Sequence, residues 1–97
     1  MKLATYLNHY FCKQRKLQFL MKVLLIEDEP AVASVIQRGL TENGYSITVA
    51  PDGSMGYELA LQHNFDVIVL DIMLPGINGV QLCKNIRANK INTPVLF

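Results

Sequence analysis

Between Val67 and Asp71 the chain reads Val-Ile-Val-Leu-Asp, and Pro75-Gly76 and Asn78-Gly79 follow shortly after. Four apolar residues, three of them β-branched, run without a polar break into one carboxylate. A run of this kind, closed by turn residues, predicts a strand buried on both faces rather than one with a wet side. A strand covered on both faces has to sit inside a layered α/β sheet. Asp71 then falls at its carboxyl end, the edge where open α/β sheets gather their ligand sites. A lone aspartate there also serves to cap the loop that follows. A second acidic strand end elsewhere in the chain separates the two readings.

That second end is Lys22-Val-Leu-Leu-Ile-Glu27, which runs into Asp28, Glu29 and Pro30. Proline suits the first turn of a helix, where its missing N–H would have had no partner. Val32, Ile36, Gly39 and Leu40 repeat at helical spacing, and Asn43-Gly44 supplies the stop. Tyr45–Ala50 is a short β-rich segment. Pro51-Asp52-Gly53 turns the chain into a second helix, with Met55, Leu59 and Ala60 predicted to face inward. Gly79–Ala88 reads as a third helix with Val80, Leu82, Cys83 and Ile86 as its apolar positions. Asn92-Thr93-Pro94 introduces a fourth strand over Val95–Phe97. The order β-α-β-α-β-α-β predicts an α/β, doubly wound parallel sheet with right-handed crossovers.

A chain of 97 residues holds one domain at most. With 51% hydrophobic and 18% charged residues it belongs to the globular class, not the disordered one. The net charge of +1 points to no polyanionic partner, but its distribution is uneven. Residues 1–20 carry Lys2, Lys13, Arg15 and Lys16 and no acid, whereas residues 21–97 carry five basic and eight acidic groups. We therefore divide the chain into a basic extension, 1–20, and a domain, 21–97. In the extension, Leu3, Tyr6, Leu7, Tyr10, Phe11 and Leu17 recur at helical spacing with Lys13, Arg15 and Lys16 off that stripe. Two readings stand: an amphipathic helix that docks on the domain or on a membrane surface, and, as the expected one, an extension without fixed structure ahead of a natural start at Met21. Cys12 and Cys83 have no metal-type spacing, and Cys83 is expected to be a buried small hydrophobe. Two thiols without a secretion signal predict a cytoplasmic protein. No stretch approaches the roughly 20 apolar residues that span a bilayer.

If the Lys22–Ile26 and Val67–Leu70 strands are neighbours, Glu27, Asp28 and Asp71 converge on one edge. Carboxylates about 5 Å apart repel by roughly 3 kcal/mol per pair at an effective dielectric of about 20. A hard divalent cation relieves this, and a sparse carboxylate site suits Mg²⁺, which keeps waters and shares phosphate oxygens. A carboxylate beside Mg²⁺ can attack a phosphoryl group and form an acyl phosphate.

Val23-Leu-Leu-Ile-Glu-Asp-Glu-Pro30 and Val67-Ile-Val-Leu-Asp-Ile-Met-Leu-Pro-Gly-Ile-Asn-Gly-Val80, with the spacing between them, resemble the receiver domain of bacterial two-component response regulators. The Asp-Ile-Met-Leu-Pro-Gly form is most similar to regulators with a winged-helix output domain. The resemblance covers residues 21–97 and implies the flavodoxin-like receiver fold. It implies that Asp71 is the phosphoacceptor, served by a sensor histidine kinase, with Asp28 on Mg²⁺ directly, Glu27 through water and Met73 through its backbone carbonyl. Pro75 and Gly76 would shape the loop, and Gly79 would start the following helix. A receiver–receiver dimer is the other partner the resemblance leaves open. Glu29 needs no more than a place at a helix N-terminus, and His9 and His63 match nothing in the family.

The family pattern continues past Phe97 with a switch Thr or Ser, a fifth strand ending in a lysine, and a last helix. The resemblance therefore implies a receiver incomplete after the fourth strand and impaired phosphotransfer. It also implies that the stripe of residues 3–17 could stand in for the last helix. Two other readings compete. One is a vestigial or interaction-only fragment without phosphotransfer. The other is an aspartate-nucleophile phosphatase, disfavoured because such enzymes place a second Asp two residues after the first, where this chain has Met73. No DNA-binding domain is expected within these residues. The four basic groups of residues 1–20 can give weak attraction to DNA phosphates but no reading of bases. A mobility-shift assay should find no preference for a promoter over scrambled DNA, and residual binding should fall steeply with salt.

Overall fold

The central strand is β1 (Lys22–Ile26), paired in parallel with β2 (Ser46–Ala50) on one side and β3 (Val67–Leu70) on the other. Beyond β3 lies β4 (Val95–Leu96), also parallel, so the order is β2-β1-β3-β4. The computed structural model describes residues 21–70 and 78–96 of the chain. Three helices connect the strands: α1 (Pro30–Glu42), α2 (Gly53–Gln62) and α3 (Gly79–Ala88). This is the α/β doubly wound arrangement that the alternating sequence predicts. Among the described residues no helix is long and apolar enough to cross a membrane.

Every residue of β1 except Lys22, and every residue of β3, is buried. Successive side chains point to opposite faces, so an unbroken apolar run feeds two cores. On one face Val23, Leu25, Val67 and Val69 pack with Ala33, Leu40 and Tyr45. On the other, Leu24, Ile26, Ile68 and Leu70 pack with Ala60, Leu82 and Ile86. Burying each of these aliphatic side chains contributes about 1.5–3 kcal/mol, which is why the inner strands carry the stability.

Register is set at the amino edge. Asp66 N–H donates to the Lys22 carbonyl at 2.8 Å, and Asp66 Oδ2 accepts from Lys22 N–H at 2.7 Å. Ser46 N–H donates to the Met21 carbonyl at 3.0 Å. Three strands thus start level, and Ile26 ends level with Ala50 and Leu70.

The helices show where periodicity misassigned faces. In α1 the buried positions are Ala33 and Leu40, with Ile36 half-buried, while Val32 is 44% exposed. In α2 the residues facing inward are Gly53, Gly56 and Ala60, with Leu59 half-buried. Met55, expected inward, is 44% exposed. The smallest side chains take the inner face because α2 lies so close to β1 that a methionine would not fit there. In α3, Leu82 and Ile86 are fully buried, but Val80 is exposed and Cys83, expected to be buried, is only half-buried.

The helix ends follow from local chemistry. At the end of α1, Gly44 has φ 90°. Gly44 N–H donates to the Thr41 carbonyl and Tyr45 N–H to the Leu40 carbonyl, at 3.0 and 3.1 Å. Tyr45 and Leu40 are buried in the same cluster, completing the Schellman arrangement, and burial pushes the Tyr45 phenol pKa up. After α3 the corresponding position is Lys90, with φ 62°, a conformation that costs a side-chain-bearing residue roughly 1 kcal/mol. Opposite substitutions should have opposite effects: Gly44→Ala should lower stability by about 1 kcal/mol and Lys90→Gly should raise it by up to about 1 kcal/mol. Urea unfolding of the two variants beside the parent checks both signs.

Candidate functional site

The carboxyl ends of β1, β2 and β3 share one edge because Ile26 is in register with both Ala50 and Leu70. Glu27 is the next residue after Ile26. Its backbone N–H donates to the Ala50 carbonyl at 3.1 Å, extending the β1–β2 ladder by one bond. Its carboxylate turns back over the loop, where Oε1 accepts from Glu29 N–H at 3.3 Å. Glu27 is buried, Asp28 is half-buried and Glu29 is exposed as the residue that precedes α1. Glu29 makes no side-chain cap of the helix, so its acid acts at most through the helix dipole.

A groove of about 240 Å³ opens beside this turn, with Glu27, Asp28, Ser34, Gln37 and Val49 among its walls. Its described lining contains two carboxylates and no basic side chain. Carboxylate oxygens of this kind suit a hard divalent ion, and Mg²⁺ accepts a site that supplies only one or two carboxylates. Among the described residues no group of three His, Cys, Asp or Glu side chains is assembled for a metal. Glu27 and Asp28, consecutive in the chain, line this groove together. The expected roles of Asp71, Met73, Pro75 and Gly76 fall on residues outside those described. Asp71 follows Leu70 directly in the chain, and Leu70 is the register partner of Ile26.

Gly79 does begin α3, and it is buried. The residue that caps the helix is Asn78, just before it, whose Oδ1 accepts from Gln81 N–H at 2.8 Å. Asp52 does the same for α2, accepting from Met55 N–H at 2.8 Å. Gly56 is the other position that sequence reasoning passed over. A Cβ built there would lie 2.7 Å from Ile26 Cγ1, the residue that carries Glu27. A glycine inside a helical pattern is itself a signal of close approach, because it costs the helix about 1 kcal/mol relative to alanine.

Comparison with known proteins agrees with this arrangement. Residues 23–97 match the family described as the response regulator receiver domain. The transcriptional regulatory protein CusR of Escherichia coli is 40% identical over 77 residues, which are 79% of this chain and 34% of CusR. The response regulator ArlR of Staphylococcus saprophyticus is 41% identical over 76 residues, 78% of this chain and 34% of ArlR. The chain thus spans about a third of the length of these two relatives. Among solved structures, the receiver domain of the Francisella response regulator 1452 is 43% identical with a TM-score of 0.74, over 77% of this chain and 62% of that one. TrrA of Thermotoga maritima, solved with Mg²⁺ and BeF, is 30% identical with a TM-score of 0.74, over 78% of this chain and 66% of that one. TrrA has also been solved in complex with the histidine kinase ThkA.

The contact between α2 and β1 generates a prediction about the site's footing. Gly56→Ala gains about 1 kcal/mol of helix propensity but overpacks a buried isoleucine, which typically costs 1–3 kcal/mol. The variant should be destabilised by up to about 2 kcal/mol in urea, and the Ile26 methyl resonances should shift. An Asn78→Ala variant should lose about 1 kcal/mol through the missing cap.

Proposed function

This chain belongs to the response regulator receiver domains, the signalling modules of two-component phosphorelays, and from that premise we propose that Asp71 accepts a phosphoryl group from a sensor histidine kinase, with Mg²⁺ beside it. The observation that carries the reading is the register of Ile26 with Leu70. Leu70, the residue before Asp71 in the chain, ends β3 at the sheet edge where Glu27 and Asp28 stand. The complexes of TrrA with Mg²⁺–BeF and with ThkA support the metal and the class of partner.

In this reading an Asp71 carboxylate oxygen attacks phosphorus as the P–N bond of a phosphohistidine breaks. The products are an acyl phosphate and an imidazole that takes up a proton. Asp28 would hold the metal directly and Glu27 through water, with the Met73 backbone carbonyl as the remaining protein donor, as the family resemblance implies. Bound Mg²⁺ supplies positive charge against the phosphoryl oxygens. The buried Glu27 is held in place by its own backbone bond to Ala50 and by the Glu29 N–H. Positioning and charge stabilisation are most of what phosphoryl transfer asks of a protein. A second receiver copy is the other partner class compatible with the family.

Incubation with a small phosphodonor and Mg²⁺, followed by intact-mass measurement, tests the acceptor. One phosphoryl adduct is expected in the parent and none in Asp71→Asn; an adduct that survives this substitution overturns the assignment. The metal is tested separately by thermal or urea unfolding. A ligand at about ten times its dissociation constant adds about 1.4 kcal/mol to stability. Mg²⁺ should therefore stabilise the parent measurably, Glu27→Ala less, and Asp28→Ala least. Equal responses in the parent and Asp28→Ala would remove Asp28 from the site.

A further inference from the structure

We propose that the outer edge of β2 pairs antiparallel with the same edge of a second copy of this chain, about a two-fold axis beside Thr48. This gives a surface to the second-copy partner and stands apart from the Asp71 assignment, which the phosphodonor experiment tests. β2 is an end strand of the sheet, and among the described residues β1 is its one neighbour. Successive residues of a strand turn their backbone groups to alternate sides. Ser46 N–H donates to the Met21 carbonyl and the Ala50 carbonyl accepts from Glu27 N–H, so Ser46, Thr48 and Ala50 are turned toward β1. Ile47 and Val49 are therefore left with both N–H and C=O aimed outward. In an antiparallel pair centred on Thr48, Ile47 stands opposite Val49 on each side of the axis and each pair exchanges two hydrogen bonds. Thr48 meets its own copy at a non-hydrogen-bonded position, so every outward donor and acceptor of Ile47 and Val49 is used. Such a contact between identical edges closes on itself.

The side chains suit the same pairing. Ser46–Ala50 reads Ser-Ile-Thr-Val-Ala, three β-branched residues in a row with neither a charge nor a proline, the devices by which edge strands keep other chains away. Ser46 and Thr48 are exposed, and Ile47 and Val49 are half-buried at the border of the α1-side core. Pairing sets Ile47 against Val49 on that face and brings the two Thr48 hydroxyls together on the other, both favourable cross-strand combinations. Neither flanking helix closes over the edge. On the α2 face a recess of about 440 Å³ runs along Ser46 and Thr48, and on the α1 face the groove of about 240 Å³ reaches Val49. Charge selects the direction. The recess at the amino end of β2 is lined by Lys22 and His63 and by no acid. At the carboxyl end stand Glu27, Asp28 and the exposed Asp52, two residues past Ala50. Antiparallel strands set the basic end of one copy beside the acidic end of the other, whereas parallel strands would set like beside like.

An edge of five residues covers less surface than a stable interface needs, so the dimer is weak and its population rises with concentration. In the full-length parent chain, sedimentation equilibrium should show monomer and dimer exchanging. The amides of Ile47 and Val49 should exchange hydrogen more slowly in a concentrated sample than in a dilute one, while the Thr48 amide, bonded to β1, should not respond. Register is read by cross-linking. With Cys12→Ser and Cys83→Ser, the variant Thr48→Cys should form a disulfide between copies on mild oxidation with diamide, because non-hydrogen-bonded antiparallel partners lie about 4.5 Å apart at Cα, within disulfide reach. Ser46→Cys should not, since Ser46 lies opposite Ala50. Thr48→Lys and Thr48→Glu each place like charges across the axis and should each be monomeric, and mixing the two should restore a dimer. A parent that stays monomeric, with Ile47 and Val49 exchange independent of concentration, overturns the proposal. So does Ser46→Cys cross-linking as readily as Thr48→Cys, a dimer that persists in Thr48→Lys, or a mixture of the two charged variants that stays monomeric.

Discussion

Everything in this fold depends on β1 being paired on both sides. A strand with neighbours left and right and helices above and below loses all contact with water, and Val23 through Ile26 can accept that only because they are apolar without interruption. The same double pairing levels the strand ends. Asp66 and Ser46 tie the amino edge to Lys22 and Met21. The strands therefore arrive together at the opposite edge, and polar residues placed just past those ends become neighbours without any contact of their own. The acidic turn at Glu27 and Asp28 stands at that edge because it follows Ile26 directly.

The acidic edge is held from below by small residues. Gly56 lets α2 approach until its backbone meets the side chain of Ile26, and Gly53 and Ala60 continue the same narrow face. Close approach of a helix fixes a strand end more firmly than a layer of long, adaptable side chains would, because interiors at crystal-like density leave no room for displacement. Repulsion between carboxylates is tolerable at such a place only when a rigid frame prevents them from moving apart. Frame and charge together are what the proposed Mg²⁺ role would rest on.

Much of this could be read from the chain. The strands, the helix boundaries and the sheet class follow from the runs at Val23 and Val67, from Pro30, and from the turn residues Asn43-Gly44 and Asp52-Gly53. The acidic pair of the site was legible because both its residues stand immediately after an apolar run. Less legible were the helix faces. Met55 and Val80 look inward by spacing and are exposed, since a hydrophobic stripe wider than the contact does not say which of its members the sheet reaches. Lys90 in a left-handed conformation carried no signal, as glycine or asparagine would have done.

What the sequence determined by itself is therefore the alternation of elements, their caps and the position of each carboxylate relative to a strand end, all of which depend on neighbours a few residues away. Only the tertiary structure decided that β1 lies between β2 and β3, that Ile26 is level with Leu70, and that glycine rather than methionine faces Ile26. These are contacts between residues some thirty to forty-five positions apart in the chain, and local periodicity holds no record of which strand will lie beside which. Pairing is chosen by the burial of whole faces, and that choice is made once, for the sheet as a unit.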